Sequence, residues 1–100
     1  MQTPMGYEFT TTLVTDFQIA SCFGEKAVRD TYSTVFRTWK HDIIWMTEMY
    51  IALNWETWRQ YEAGNEMLAK VYEELWNTLG EYVFDNFTGD DISFFLEVTD

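Results

Sequence analysis

A run of apolar side chains at helical spacing dominates the sequence between residues 66 and 87. Eight of them fall within one half of a helical wheel: Leu68, Val71, Tyr72, Leu75, Trp76, Leu79, Tyr82 and Val83. Strands alternate with a period of two residues, so this spacing predicts an amphipathic helix whose apolar side must be buried against a partner. Gly80 lies inside this helix and weakens it by about 1 kcal/mol relative to alanine, unless a neighbour uses the space for close approach.

Three further helices are predicted before this one. A helix over residues 25–40 places Val28, Tyr32, Val35, Phe36 and Trp39 on one side, and a helix from residue 12 to about residue 23 does the same for Leu13, Phe17 and Ala20. The segment 41–63 is apolar in every direction around its first half, which predicts a helix at the centre of the fold. Its second half narrows to Ile51, Trp55, Trp58 and Tyr61, so we expect the opposite side of that half to face water.

Local signals mark where these helices begin and end. Gly24 and Gly64 follow the first and third helices as stop residues, and Asn65 is predicted to cap the fourth. Asp42 suits the start of the third, because a negative charge is favoured near a helix N-terminus. Thr88 and Asp91 have the spacing of a capping box, which predicts a short terminal helix with Ile92, Phe95 and Leu96 turned inward.

The sequence therefore predicts an all-α fold, a compact bundle of four main helices plus a short C-terminal helix. Its 100 residues allow one domain, residues 1–100. Residues 1–11 contain Pro4 and Gly6 and are predicted as a loose lead-in, although alternation over residues 7–13 would also suit a short strand.

The cysteine count and the length of the apolar runs indicate the cellular compartment. Cys22 is the single cysteine, so no internal disulfide can form, as suits a reducing cytoplasm. Because Cys22 adjoins Phe23, we expect a buried thiol. The longest unbroken apolar run, residues 49–53, is far shorter than the roughly 20 residues that a membrane helix requires. We expect a cytoplasmic protein without a membrane partner.

Negative charge is concentrated in the last forty residues. The chain has 17 acidic and 6 basic side chains and a net charge of −11. Residues 61–100 hold 10 acidic and 1 basic side chain, and therefore carry −9 of that charge. Coulomb repulsion makes nucleic acid and anionic lipid unfavourable partners, whereas a protein with a basic surface, as nucleic-acid-binding proteins present, would be attracted.

The candidate partner-binding residues follow from this charge and from the aromatic content. The acidic side of the predicted fourth helix and the start of the fifth supply Glu66, Glu73, Glu74, Glu81, Asp85, Asp90 and Asp91. Trp58 and Tyr61 are predicted to be partly exposed, and such side chains are enriched in binding hot spots. A row of carboxylates can resemble the phosphates of a duplex, so we expect a non-enzymatic inhibitor that blocks a basic nucleic-acid-binding surface.

Two alternatives remain open at this stage. The aromatic residues could instead form a homodimer, making the protein a self-assembling scaffold, and the acidity could serve solubility alone. The basic residues Lys26, Arg29, Arg37 and Lys40 fall within a narrow wedge of the wheel of the predicted second helix, beside its apolar side. They could pair with the acidic fourth helix within one chain or between two chains.

Catalytic, metal and cofactor sites are not predicted. His41 is the single histidine, so a site with two or three histidines cannot form within one chain. The acidic pairs Glu73-Glu74 and Asp90-Asp91 lack the spaced ligands of a calcium loop. No nucleophile with a placed base and no glycine-rich phosphate loop is recognisable.

Short aromatic signatures carry a resemblance to a group of proteins. They are Phe23-Gly24, residues 27–31, Trp39-Lys40, residues 53–55, Tyr72, Leu75-Trp76 and Thr99-Asp100. Across residues 12–100 the chain resembles small acidic proteins of gut bacteria and their phages or mobile elements. The resemblance implies an accessory protein of a mobile element, a setting in which acidic, anti-CRISPR-like inhibitors of host defence are common. It implies no active-site residue.

Overall fold

Five helices joined by three-residue connections make up residues 7–99, the part of the chain that this computed structural model describes, with side chains from residue 12 onward. The helices are α1 (Tyr7–Ser21), α2 (Glu25–Trp39), α3 (Ile43–Glu62), α4 (Glu66–Asn86) and α5 (Asp90–Thr99). No strand occurs within these residues. The predicted all-α bundle of four main helices and a short C-terminal helix is confirmed.

Most of the predicted helix boundaries are confirmed within two residues. Asp42 caps α3, because its Oδ1 accepts hydrogen bonds from the backbone N–H of Ile44 at 2.9 Å and of Trp45 at 3.2 Å. Gly64 lies in the connection between α3 and α4 and has a φ of 78°, a backbone conformation that residues with a Cβ atom rarely adopt. Asn65 occupies the capping position of α4, but its side chain makes no capping hydrogen bond, so that prediction is wrong in its chemistry.

Helix α3 lies at the centre, as its apolar first half predicts. It packs most extensively against α4, then against α1, and it also contacts α5 and α2. The residues that α3 contributes to the hydrophobic core are Met46, Met49, Ala52 and Leu53. They meet the apolar sides of the other helices, whose buried members include Leu13, Phe17, Val28, Tyr32, Leu68, Val71, Tyr72, Leu75, Leu79, Val83 and Phe95.

Helix α1 begins at Tyr7, five residues before the predicted start. The predicted lead-in over residues 1–11 is therefore wrong for residues 7–11, and so is the alternative strand; residues 1–6 lie outside the described residues. Adding a residue to an existing helix costs much less than nucleating one. Once Leu13 and Phe17 are buried, the helix extends toward its N-terminus despite the alternating local pattern.

The second half of α3 turns its polar side inward, contrary to prediction. Glu56, Thr57 and Gln60 are buried, contrary to the expectation for that side, whereas Trp58 is 63% exposed, in agreement with its predicted partial exposure. The apolar spacing predicted the opposite side because it takes no account of polar partners on other helices. A buried polar group is tolerated where hydrogen-bond partners are available.

Those partners form what we call the inner polar cluster, composed of Gln18, Ser21, Glu56, Arg59 and Tyr72. The fully buried carboxylate of Glu56 accepts from Gln18 Nε2 at 3.3 Å and from Arg59 Nε at 3.1 Å and Nη2 at 3.0 Å. The Tyr72 hydroxyl donates to the Phe17 carbonyl at 2.8 Å and is hydrogen-bonded to Ser21 Oγ. The cluster joins α1, α3 and α4 where their packing is least apolar.

Two predictions of burial are wrong at the ends of helices. Leu96 is exposed, because the ten-residue α5 buries only a narrow stripe around Phe95, with Ile92 partly buried beside it. Cys22 is exposed as well, since it lies in the connection after α1 rather than on the buried side of that helix. None of the described helices is both long and apolar enough to cross a membrane.

Candidate functional site

The outer side of α4 presents a row of carboxylates, which we call the acidic face and define as Glu66, Glu73, Glu74, Glu81 and Asp85. All five are exposed, because the opposite side of α4 is buried against the bundle. From Glu66 to Asp85 the helix rises about 28 Å, at about 1.5 Å per residue. The structure thus brings these predicted residues onto one continuous face.

Only one carboxylate of the acidic face is neutralised within the described residues. Arg29 Nη2 lies 3.0 Å from Glu74 Oε2, and Arg29 Nε also pairs with Glu25 at 2.9 Å. The hydrogen bond and charge of this guanidinium hold the pKa of Glu74 below its ordinary value. The other four carboxylates make no ion pair to residues of the described part of the chain.

The basic residues of α2 therefore do little to mask α4. Lys26 pairs with Asp30 of its own helix at 2.8 Å, and Arg29 alone reaches across to α4. Arg37 and Lys40 have no acidic partner among residues 12–99. The predicted pairing of the α2 basic residues with the α4 carboxylates is thus present within the chain only between Arg29 and Glu74. Pairing between two chains stays a prediction.

Asp90 and Asp91 extend the acidic surface beyond the end of α4. Both are exposed and lie in the first turn of α5, where the helix dipole favours negative charge. Glu62 and Glu97 are exposed too, and Asp100 lies outside the described residues. The acidic surface thus has members on three consecutive helices.

The two predicted aromatic residues lie on the outer side of α3. Trp58 is exposed and Tyr61 is partly exposed, and their ring centroids are 6.4 Å apart with the ring planes tilted. The remaining tryptophans of α3, Trp45 and Trp55, are partly buried. Trp58 is thus the one tryptophan of α3 that is available to a partner over most of its surface.

Sequence reasoning missed an open groove on the C-terminal half of α4. Its volume is about 610 Å³, and it is lined by Tyr50, Asn77, Gly80, Glu81, Phe84 and Asp85. We call it the Gly80 groove. Phe84 is 53% exposed and lies among the carboxylates of the acidic face. An apolar residue on the polar side of an amphipathic helix is the sequence signal that could have indicated this site.

Gly80 allows α4 to approach α3 closely at this groove. A Cβ atom added at Gly80 would lie 3.2 Å from Cε1 of Tyr50. The close approach that the sequence allowed at this glycine is therefore present. Absence of a side chain at Gly80 leaves the Tyr50 ring as one wall of the groove.

Aromatic contacts hold both rings of the groove in place. Phe95 packs edge-on against Phe84 at 5.9 Å and against Tyr50 at 4.9 Å between ring centroids. Trp76 lies 5.1 Å from Tyr50 on another side. Partial burial also raises the pKa of Tyr50 above its ordinary value. The groove is thus a fixed aromatic surface with carboxylates beside it.

A second groove, between α1 and α2, is apolar and lies away from the acidic face. Ile19 and Phe23 are its exposed apolar residues, and Asp16 and Asp30 also line it. No residue of the acidic face contributes to it.

The described residues offer no cluster of metal ligands. No group of three or more His, Cys, Asp or Glu residues within them could hold a metal ion. His41 is exposed in the connection between α2 and α3. Exposed carboxylates on the acidic face and beside the Gly80 groove can attract positive charge.

Comparisons of the chain with protein-family models, with curated proteins and with solved structures found no match.

Proposed function

We propose that this protein is a non-enzymatic inhibitor that occupies a basic nucleic-acid-binding surface of another protein, in the manner of an anti-CRISPR protein acting on host defence. One observation carries the proposal. Four of the five exposed carboxylates of the acidic face have no cationic partner within the described residues, over about 28 Å of a rigid helix. Their field is left to attract a positively charged surface.

The charge density supports a contribution from apolar contacts. Duplex DNA carries one charge per about 1.7 Å, so about 28 Å of duplex presents roughly 16 charges, against five on the acidic face. Carboxylates at about a third of that density attract a basic channel less strongly than the nucleic acid they resemble. Exposed aromatic surface at Phe84 and Trp58 would supply the remaining affinity, because aromatic side chains bury much area at low entropic cost.

Affinity capture from host lysate, with two charge-reversal variants of equal net charge, tests this function. One variant converts Glu66, Glu73 and Glu81 of the acidic face to lysine, and the control converts Asp16, Glu25 and Asp30 of α1 and α2, which are also exposed and lie away from the acidic surface. Net charge is then the same in both variants. We expect the wild type and the control to capture basic nucleic-acid-binding proteins that added duplex DNA displaces, and the face variant to lose them.

Equal capture by the face variant and the control would contradict the proposal, and so would captured proteins that duplex DNA does not displace. Circular dichroism of each variant checks that its helices are intact.

A scaffold that forms a homodimer is the second candidate, and the exposure of Trp58 favours it. Burial of aromatic surface between two chains would resist salt, whereas pairing between α2 and α4 of different chains would weaken with salt. Light scattering at low and high salt distinguishes these cases. A dimer that persists in 1 M salt and dissociates on Trp58→Ala substitution supports the scaffold, and a monomer at both salt concentrations contradicts it.

A further inference from the structure

We propose that the Gly80 groove binds an arginine side chain of the basic partner protein. This inference rests on the proposed function and states which residue type its central contact recognises. The groove combines two aromatic walls, Tyr50 and Phe84, with two carboxylates, Glu81 and Asp85, that have no ion pair within the described residues.

The groove is large enough to admit a side chain. Its volume of about 610 Å³ far exceeds the roughly 30 Å³ share of a single water molecule. Gly80 contributes no side chain to fill it, and the Tyr50 ring beside Gly80 forms one wall. A partner side chain entering here would lie against aromatic carbon rather than against solvent.

The chemistry of the groove favours arginine over lysine. A guanidinium is planar, stacks on aromatic faces and donates hydrogen bonds in a fork that matches a carboxylate. A lysine ammonium is a compact, strongly hydrated charge that gains less from an aromatic wall. Phe84 and the carboxylates Glu81 and Asp85 together offer both kinds of contact within one turn and a half of α4.

The N-terminal and C-terminal ends of the acidic face differ in whether their carboxylates line the Gly80 groove. Glu66 and Glu73 are exposed and unpaired within the described residues like Glu81 and Asp85, but they do not line the Gly80 groove. Lys70, the one basic residue of α4, lies between them in sequence. The N-terminal end thus offers two carboxylates and one cation without the groove, and its two carboxylates serve as a control on the same helix.

Two fluorescein-labelled peptides, a decamer of arginine and a decamer of lysine, are suitable probes for fluorescence anisotropy with the full chain. We expect the wild type to bind the arginine peptide several-fold more tightly. Glu81→Gln with Asp85→Asn should weaken arginine binding about tenfold, whereas Glu66→Gln with Glu73→Gln, which removes the same charge, should weaken it about threefold. Phe84→Ala should weaken it about fivefold and remove the preference for arginine.

Met67→Ala is the control for Phe84→Ala, since Met67 is 71% exposed on the same helix but does not line the groove, and we expect no change. Circular dichroism checks the fold of each variant. Equal weakening by the two double variants, together with unchanged binding by Phe84→Ala, would overturn the arginine site and leave the proposed function standing. Peptide binding that no carboxylate substitution weakens would overturn both.

Discussion

The inner polar cluster and the acidic face use carboxylates in opposite ways. In the cluster, Glu56 is fully buried and accepts hydrogen bonds from Gln18 and Arg59. On the acidic face, four of the five carboxylates are exposed and unpaired within the described residues. A carboxylate whose partners lie inside the fold helps to specify that fold, whereas one without an internal partner is available to another molecule.

The ion pair between the buried Glu56 and the half-exposed Arg59 should have the largest effect on the free energy of unfolding. Arg59→Met leaves the Glu56 carboxylate inside the protein without its cation, and we expect the free energy of unfolding to fall by about 2 kcal/mol. Arg59 is 47% exposed, so after Glu56→Gln it can turn to water, and we expect a smaller loss of about 1 kcal/mol. Urea unfolding followed by circular dichroism measures both.

The double variant Glu56→Gln with Arg59→Met should be close to Glu56→Gln alone, because no buried charge remains. An Arg59→Met loss no larger than that of Glu56→Gln would show that the cluster does not depend on neutralising this carboxylate.

Removal of the Tyr72 hydroxyl should have the next largest effect. Tyr72→Phe deletes the donor to the Phe17 carbonyl and the partner of Ser21, and we expect unfolding to require about 1 kcal/mol less. Tyr50→Phe is the control, since the Tyr50 hydroxyl has no hydrogen bond within residues 12–99, and its loss should be below about 0.5 kcal/mol. Equal losses in thermal or urea unfolding would contradict a special role for the Tyr72 hydroxyl.

Burial of the Tyr72 phenol should also be detectable in its titration at alkaline pH. It raises the pKa of Tyr72 to about 12, above the ordinary value of 10.0. The unfolded chain therefore ionises this phenol first, and its contribution to stability is complete below pH 10 and is lost as pH rises toward 12. Burial raises the pKa of Tyr32 to about 12 as well, so ultraviolet absorbance titration should show two late tyrosines, of which Tyr72→Phe removes one.

Neutralising the acidic face should change stability with the opposite sign. Glu81 and Asp85 are four residues apart on α4, where like charges repel by about 0.2–0.5 kcal/mol. Glu81→Gln with Asp85→Asn should therefore raise the free energy of unfolding by a few tenths of a kcal/mol. A loss comparable to that of Glu56→Gln in the same urea experiment would mean that these carboxylates also serve the fold.

The exposed pair of Arg29 and Glu74 should give the smallest effect, visible in titration rather than in unfolding. Because Arg29 lowers the pKa of Glu74, the stabilisation is present above the unfolded pKa of about 4.5 and is lost as pH falls through the folded value. Arg29→Gln should return this pKa to its ordinary range in a carboxyl NMR titration. Arg37→Gln, at an unpaired arginine of the same helix, should leave it unchanged.

Helical spacing was sufficient to predict every described helix and most of the core. The pattern that includes Leu68, Leu75 and Leu79 allowed one buried side, and the structure buries that side. In the second half of α3 the same reasoning was wrong at Glu56 and Thr57. Spacing ranks positions by their own polarity, and it cannot include a hydrogen bond to a residue 38 positions away, such as the bond between Gln18 and Glu56.

One part of the candidate site could likewise be predicted from the sequence, and another part could not. Glu66 to Asp85 could be placed on one face from the period of the helix alone, because an exposed position needs no partner to define it. The Gly80 groove could not be predicted, since it depends on how closely Tyr50 of α3 approaches Gly80 of α4 and on the position of Phe95 from α5. The one sequence signal for the groove was Phe84, an apolar residue among the acidic residues on the polar side of α4.

The order of the helices, the all-α class and the one-sided placement of negative charge were thus determined by the sequence alone, because each depends on residues within a few positions of one another. Tertiary structure decided which side of α3 is buried near its end, which carboxylates have an internal cation and where the surface is concave. Those features depend on contacts between separate helices, and such contacts exist only once the helices have packed.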